Sequence, residues 1–297
     1  MTDKEPTLAE LRGEIDQLDD KLVDLLLHRT QLVQDIGSLK VADGSPVLRP
    51  GREAEILRRL LSRGDGLDGA ALVRIVREIV SAAVRQQSAF SVAASMPDAG
   101  TSCWALARDQ YGAATPIIPM AAAPQVAAAV ADGSASIGIV PTPVSEEMQP
   151  WWPPLMAENA PRVVARLPIA EGLAPTHGCT EGFVLALMAP EPSGDDRSLI
   201  ALEIEKGLGR SRVHDGLKAA GFIIGSTWSH SVGERDHHDG TLAEVDGFVT
   251  PESPALAALD EALGDVLLRV TVIGAFGVPL RLESGPALAA LSKGHGT

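Results

Sequence analysis

The stretch LAELRGEIDQLDDKLVDLLLHR, residues 8–29, decides the N-terminal fold, because its apolar residues recur every three or four positions. That spacing is the period of an amphipathic helix, and it continues to about residue 41. Thr7 and Glu10 form a capping-box signature at the start, and DGSP at 43–46 predicts the end. A helix of about 35 residues is roughly 50 Å long, longer than a compact monomer of this size needs. We therefore expect it to pair with a second copy of itself.

Two more helices are predicted over 51–63 and 69–89, and the pattern changes near residue 90. From there short β-like runs alternate with helical ones, which indicates α/β or α+β architecture. The β-like runs are SIGIVP (136–141), GFVLALM (182–188), RSLIALEI (197–204) and RVTVIGAF (269–276); the helical ones are 123–133 and 211–221.

Composition restricts the class of protein. The chain has 297 residues, 45% of them apolar, which predicts two or three domains with a real core. No apolar run is long enough to span a bilayer, and MTDKEPTLAE at the N-terminus lacks a signal-peptide core, so we expect a soluble, cytoplasmic protein. Cys103 and Cys179, 76 positions apart, suggest neither a disulfide framework nor a metal pair. The net charge of −14 argues against nucleic acid as a partner.

The cations of the first segment are spaced as if to hold a small dianion. Arg29 and Lys40 are 11 residues apart, so they share one helix face about 16 Å apart along the axis. Arg12 lies roughly 25 Å before Arg29 and about 100° around the helix, so it cannot share that site within one chain. In an antiparallel dimer, the second copy's Arg12 would approach from the other side.

Arg52 and Glu53 from the second helix and Gln87 from the third extend this set. Three or four cations, one carboxylate and one amide suit a doubly negative substrate whose reaction needs shape and charge stabilisation. No nucleophile–base pair, metal cluster or phosphate-binding glycine loop accompanies them. For any single arginine, a solvated surface charge remains the alternative.

The joint pattern resembles the all-helical (type II) chorismate mutases. The matching stretches are LAELRGEIDQLDDKLVDLLLHR (8–29), QDIGSLK (34–40), RPGREAEIL (49–57) and VREIVSAAVRQQ (76–87). The resemblance implies an intertwined helical dimer that converts chorismate to prephenate by a Claisen rearrangement, without a cofactor or a metal. It also implies substrate-carboxylate binding by the partner's Arg12, Arg29 and Arg52, hydrogen bonds from Lys40 and Gln87 to the ether oxygen, and a ring hydroxyl accepted by Glu53.

Two positions depart from some members of that family. Arg49 stands where these have an aspartate, and Ala83 where they have a serine. Both positions line the pocket in the family. We expect Arg49 to be tolerated at the pocket rim and Ala83 to affect affinity more than rate.

Residues 91–190 resemble a shortened prephenate dehydratase, an α/β half-lobe. The similarity lies in MPDAGTSCWALARDQYG (96–112), VADGSASIGIVPTPVS (130–145) and Thr180-Glu181-Gly182-Phe183, which represents a Thr-Arg-Phe signature without its arginine. About 80 residues of that family's second lobe are missing. We therefore expect no dehydratase activity, with a bifunctional mutase–dehydratase as the alternative.

Residues 191–297 resemble a drifted ACT domain of α+β type, after the helical domain of residues 1–90. The family's phenylalanine-binding Glu-Ser-Arg-Pro is represented by Gly225-Ser226-Thr227-Trp228, so the resemblance leaves open an aromatic amino acid effector or a packing module without ligand. His230, His237 and His238 lie in a polar hairpin, where solvated histidines are the expected reading rather than a metal site. The overall prediction is a cytoplasmic, dimeric chorismate mutase with a structural or regulatory tail; a further alternative is a non-catalytic scaffold.

Overall fold

The computed structural model describes residues 6–43, 46–63, 67–97, 102–144, 150–231 and 238–282, with the side chains of 40–43 left out. Its backbone contacts divide the chain into two compact units. The first comprises Met1–Val47 and Ala83–Ala89, and the second comprises Leu48–Ala82 and Phe90–Thr297.

The first unit is built on one long helix, α1 (Leu8–Asp43). The predicted capping box is confirmed, because the Thr7 amide and hydroxyl both donate to Glu10 Oε2 at 2.7 Å. The Glu10 amide donates back to Thr7 Oγ1 at 3.3 Å. These hydrogen bonds to Thr7 lower the pKa of Glu10 below its ordinary value. Most apolar side chains of α1 stay exposed: Leu8, Leu11, Ile15, Leu18, Leu22, Val23, Leu25, Leu27, Leu32, Ile36 and Leu39.

Two further helices, α2 (Pro50–Leu61) and α3 (Gly69–Gln87), agree with the predicted ranges to within two residues. Pro50 opens α2, where the missing amide donor costs nothing. Asp68 caps α3 by accepting the amides of Ala70 and Ala71 at 3.3 and 3.2 Å. In the second unit, these helices share an apolar core with later segments of the chain: Leu57, Val73, Val76, Ala170, Leu173 and Leu280. The predicted domain boundary at residue 90 therefore does not separate independent cores.

The middle of the chain forms an α/β layer. Strands β1 (Val92–Ser95), β2 (Ile117–Met120) and β3 (Ile137–Pro141) are parallel in the order β2-β1-β3, connected through helices α4 (Trp104–Tyr111) and α5 (Ala123–Ala131). Helix α5 lies so close to β3 that a Cβ on Gly138 would be 2.4 Å from Val126 Cγ1. A short 3₁₀ turn (Pro153–Met156) then leads to β4 (Arg162–Leu167) and β5 (Gly182–Ala186), with β5 antiparallel to both β3 and β4.

The last part has the order β-α-β-β-α-β. Its elements are β6 (Asp196–Glu205), α6 (Arg210–Ala219), β7 (Ile224–Ser231), β8 (His238–Asp246), α7 (Pro254–Leu263), a 3₁₀ turn (Gly264–Val266) and β9 (Leu267–Gly277). Within the described residues, strands β1 to β9 form one sheet in the order β2-β1-β3-β5-β4-β9-β6-β8-β7, joined at its middle by the parallel pair of β4 and β9. This pairing fuses the two regions predicted as 91–190 and 191–297. The ACT-like identity of the second stays a prediction.

Trp151 and Trp152, in the proline-rich stretch PWWPP, are core residues of this sheet. Both are almost fully buried, and the Trp151 indole donates to the Pro141 carbonyl at the end of β3 at 3.0 Å. Phe183 and Phe276 pack with Trp151, so the core extends from the α/β layer to β9. Helices α6 and α7 bury a second apolar cluster against β6, β8 and β9.

Candidate functional site

The first turn of α2 carries two of the predicted cations, and each has an ion-pair partner in the described structure. Arg49, just before the helix, places Nε 2.5 Å from Glu191 Oε1. Arg52 pairs with Glu55 at 2.8 Å, and its side chain remains 61% exposed. The backbone of this turn is also close to the 191–192 segment, since a Cβ on Gly51 would lie 3.0 Å from the Pro192 carbonyl oxygen.

Glu53 is the buried charge of this turn. Its Oε2 lies 2.5 Å from Nη1 of Arg77 on α3, and the two side chains are only 9% and 3% exposed. Arg77 also donates through Nε and Nη2 to the Gln110 carbonyl at the end of α4, at 2.9 and 2.7 Å. The sequence analysis missed Arg77; an arginine among apolar positions of a helix, as in VRIVREIV (73–80), was the signal that it lies inside.

The α1 residues of the predicted set lie along one helix. Arg12 is exposed and Arg29 is partly buried. Lys40 is in the last turns of α1, and its side chain is outside the described part of the structure. The cation set on α1 therefore stays a prediction.

Gln87, the last residue of α3, packs against α1. A Cβ on Gly37 would lie 3.0 Å from Gln87 Cγ, so glycine is what allows this approach. Gln87 Nε2 donates to the Ala83 carbonyl one turn earlier at 3.2 Å, and Ala83 itself is buried. Gln87 Oε1 is buried and has no hydrogen-bond partner within the described residues. A buried polar atom of this kind is costly without a ligand, water or donor, which makes Gln87 a candidate binding group.

A second polar cluster lies where β1 and β3 end and β5 begins, and it collects the three segments whose resemblance to a dehydratase was noted. The Cys179 amide donates to the Ser102 carbonyl at 3.0 Å, and the Thr142 amide donates to the Glu181 carbonyl at 3.3 Å. Thr142 Oγ1 is buried without a partner among the described residues. The carboxyl ends of parallel strands are the usual ligand position in α/β sheets.

The two thiols also meet in this cluster, although 76 positions separate them. The Cys103 thiol, fully buried at the start of α4, is hydrogen-bonded to Cys179. That bond, followed by burial, raises the pKa of Cys103. The same bond from Cys103 lowers the pKa of Cys179, whose thiol donates to the Glu181 carbonyl at 2.6 Å. Cysteine spacing alone gave no sign of this proximity.

Where the dehydratase signature has its arginine, this chain has Glu181, and that carboxylate pairs with Arg166 of β4 at 2.8 Å. Arg166 also donates to both oxygens of the fully buried Glu244 at 3.2 Å. Arg197 completes the cluster with an Nη1–Oε1 distance of 2.5 Å to Glu244. The cations near this end of the sheet are therefore engaged by carboxylates of the same chain.

A cavity of about 200 Å³ lies between α6 and the strands β7 and β8. Its polar lining includes Arg210, Ser229, His230 and Asp239. Asp239 accepts from the Gly207 amide at 3.0 Å and from the Ser231 hydroxyl at 2.8 Å. His237 is outside the described residues.

Across the described ranges, no group of three or more His, Cys, Asp or Glu side chains is placed to bind a metal ion. Within the same ranges, no helix combines the length and apolar character needed to cross a bilayer.

Comparison with known proteins identifies the N-terminal region. Residues 11–88 match the family model described as chorismate mutase type II. The bifunctional chorismate mutase/prephenate dehydratase of Pseudomonas aeruginosa is 36% identical over 146 residues, which are 47% of this chain and 40% of that protein. The corresponding protein of Aquifex aeolicus is 33% identical over 139 residues, 45% of this chain and 38% of that one. This chain thus aligns with less than half the length of these curated relatives.

Among solved structures, a prephenate dehydratase from Arthrobacter aurescens is similar to 69% of this chain and 97% of its own, at 13% identity and a TM-score of 0.45. The alignments with the Pseudomonas aeruginosa and Aquifex aeolicus proteins, over 146 and 139 residues, are nearly twice as long as the 11–88 match, so they continue beyond the helical segment. Residues 11–88 are therefore similar to a type II chorismate mutase domain, and these two curated relatives are bifunctional chorismate mutase/prephenate dehydratases.

Proposed function

We propose that this protein is a chorismate mutase, which rearranges chorismate to prephenate without a cofactor. The observation that carries the proposal is the family match over 11–88, which contains all six candidate residues. They are Arg12, Arg29, Lys40, Arg52, Glu53 and Gln87. Supporting it is the partnerless, buried Oε1 of Gln87, a binding group with no bond inside the described chain.

The reaction requires that one C–O bond breaks while a C–C bond forms in the same molecule. Negative charge grows on the ether oxygen in the transition state, so donors placed there lower the barrier. In the proposal, Lys40 and Gln87 donate to that oxygen. Arg29, Arg52 and the partner subunit's Arg12 hold the two carboxylates in the reactive geometry.

Glu53 would accept the ring hydroxyl of the substrate, with Arg49 at the pocket rim and Ala83 lining the pocket. Arg49 and Arg52 have ion-pair partners in Glu191 and Glu55. Because both pairs are half exposed, they are weak, and substrate carboxylates would displace Glu55 from Arg52 at little cost.

The proposed active form is a homodimer through α1. Leu18 is 62% exposed and Leu25 is 68% exposed, and the same face continues along the helix. A helix with such an apolar face needs a partner to bury it. A second copy would also supply the Arg12 that one chain cannot bring to its own site.

The experiment is steady-state kinetics on the Lys40→Ala variant, with Lys21→Ala, an exposed lysine of the same helix, as the matched control. Loss of an electrostatic contact to the ether oxygen corresponds to about 3–4 kcal/mol, or several hundredfold in kcat. Lys21→Ala should keep the unaltered rate. Equal rates for both variants would show that Lys40 does not serve the reaction.

We further propose that the part after residue 90 is not a working dehydratase. The stretch Thr180-Glu181-Gly182-Phe183 lacks the signature arginine, and the nearby cation Arg166 is paired with Glu181 and Glu244 instead of being left for the anionic prephenate. The bifunctional alternative is favoured by one observation, the alignment with bifunctional relatives that continues past the helical segment. Phenylpyruvate formed from prephenate by the purified protein would establish it.

In this proposal a regulatory tail must bind an effector, and the cavity beside α6 is the candidate place. Arg210 and Asp239 provide the opposite charges that an amino acid zwitterion requires. A thermal shift with phenylalanine, tyrosine or tryptophan tests this. If none of the three amino acids changes the melting temperature, a structural tail is favoured. If the purified protein does not turn over chorismate at all, a non-catalytic scaffold is favoured.

A further inference from the structure

The contacts of Glu53 extend from the mutase helices into the α/β layer. Glu53 on α2 meets Arg77 on α3, and Arg77 meets the Gln110 carbonyl on α4. These three groups lie in the second compact unit, and the two charged side chains are almost completely buried. A buried ion pair of this kind is held in one geometry, because neither partner can turn toward water.

The guanidinium of Arg77 donates hydrogen bonds from two of its edges. Nε and Nη2 donate together to the Gln110 carbonyl, and Nη1 donates to Glu53 Oε2. Because the guanidinium is planar, fixing one edge fixes the direction of the other. The Tyr111 ring lies 5.9 Å from Arg77 Cζ and adds a cation–π contact on the same end of α4.

The carbonyl of Gln110 can accept both hydrogen bonds from Arg77 because it lies in the last turn of α4. Carbonyls there lack a partner within the helix and carry the negative end of its dipole. Besides Arg77, it accepts the Ser81 hydroxyl of α3 at 3.3 Å. The anchor therefore belongs to the α/β layer rather than to the helices that match the mutase family.

The next residue of α3 holds the same end of α4 from the other side. Glu78 Oε2 accepts the Ala113 amide at 3.2 Å. Between them, Gly112 has φ +80°, and a Cβ there would lie 2.6 Å from Glu78 Oε2. Glycine is favoured at this position by its positive φ, and a Cβ there would also push the Glu78 carboxylate away from the Ala113 amide.

We propose that Arg77 is a positioning residue, which orients the Glu53 carboxylate for the substrate, and that the end of α4 anchors Arg77 for this purpose. The inference rests on the proposed function, since it gives Glu53 its substrate contact. It assigns the α/β layer a role in the mutase reaction that requires no chemistry of its own. The tail would be kept because the mutase site is incomplete without it.

The first experiment is a double-mutant cycle on the full chain with the substitutions Glu53→Gln and Arg77→Met. If Arg77 acts through Glu53, R77M lowers kcat at least tenfold, and adding it to E53Q changes kcat less than threefold. Arg74→Met, an exposed arginine one turn earlier on α3, is the matched control and should keep the unaltered kcat. Losses that multiply in the double variant, or an R77M variant with normal kcat, would overturn the proposal.

Removing one partner of a buried pair can prevent folding, so circular dichroism and thermal unfolding accompany each variant. If R77M does not fold, the kcat of E53Q is compared with that of E53Q/R77M. Neither of these two variants leaves an unpaired carboxylate at position 53. Arg77→Lys keeps the charge but loses the planar fork, and it should leave kcat well below that of the unaltered protein. Full activity of R77K would show that charge alone suffices and would overturn the positioning role.

The anchor is tested separately with Gly112→Ala and Gly133→Ala. Gly112 has φ +80° and Gly133 has φ +78°, but a Cβ on Gly133 would meet nothing within 4 Å. Both substitutions place a Cβ at positive φ, but only G112A also presses that Cβ against the Glu78 carboxylate at the end of α4. We expect G112A to lower kcat several-fold relative to G133A; equal values would overturn the anchoring role. If the unaltered protein does not turn over chorismate, the proposed function itself is wrong, and this inference is wrong with it.

Discussion

Helices α1 and α2 both carry residues of the proposed substrate site, yet they differ in how their side chains are buried. α1 leaves leucines such as Leu18 and Leu25 more than 60% exposed. α2 buries the carboxylate of Glu53 to 7% exposure and pairs it inside its own chain. The comparison indicates that α2 is organised by contacts with the rest of this chain. On α1, the exposed apolar face is the surface that the proposed second copy would cover.

The largest expected effect comes from a charge placed on the exposed apolar face of α1. Leu18→Glu should convert the proposed dimer to a monomer, because burying an unpaired carboxylate in an apolar interface costs several kcal/mol. Activity should fall more than hundredfold, since the site would lose the partner subunit's Arg12. Sedimentation equilibrium and chorismate turnover measure both effects.

Gln17→Glu is the control for this substitution. It adds the same charge at the neighbouring exposed position, where we expect the dimer and the rate to persist. A dimeric, active L18E variant would contradict the comparison of α1 with α2, because α1 would then bury its apolar face in some other way.

The second prediction compares a buried with an exposed carboxylate on the same arginine. Glu244 is fully buried between Arg166 and Arg197, whereas the Glu181 side chain is 51% exposed beside Arg166. Glu244→Ala leaves two poorly solvated cations and should lower the free energy of unfolding by about 3–5 kcal/mol. Glu181→Ala should cost about 1 kcal/mol or less.

Urea unfolding followed by circular dichroism distinguishes the two variants. Equal losses for E244A and E181A would mean that burial does not set the strength of these pairs. The same result would weaken the argument that the Glu53–Arg77 pair holds a fixed geometry.

The smallest effect concerns the two thiols. Because the bond from Cys103 lowers the pKa of Cys179, more of Cys179 is thiolate at a given pH than in an ordinary cysteine. Its alkylation by iodoacetamide should therefore reach half its maximal rate at a lower pH than that of a free thiol. Cys103→Ala should move this midpoint upward and slow the reaction several-fold near pH 7.

Mass spectrometry of the modified peptide gives the rate for Cys179 alone, since Cys103 is fully buried. A midpoint that does not change in C103A would show that the neighbouring thiol does not set the reactivity. Cys179→Ser, which removes the reactive thiol, supplies the blank.

Periodicity predicted the three N-terminal helices and the strands β3, β5, β6 and β9 closely, because each has a local pattern of its own. The Thr7–Glu10 capping box is equally local, and it is confirmed. Sequence spacing did not predict that Arg77 would meet Glu53, nor that the thiols would meet. Those contacts depend on how α2, α3 and α4 pack, and packing joins residues 24 to 76 positions apart. The fusion of both sheets through one β4–β9 pair is non-local in the same sense.

The most direct test of the account is product identification after chorismate is incubated with the purified full chain, with quenching that avoids acid. The account predicts that chorismate disappears and prephenate accumulates in equal amount without further conversion. Phenylpyruvate as a product would contradict the non-catalytic tail, and unchanged chorismate would contradict the mutase assignment itself.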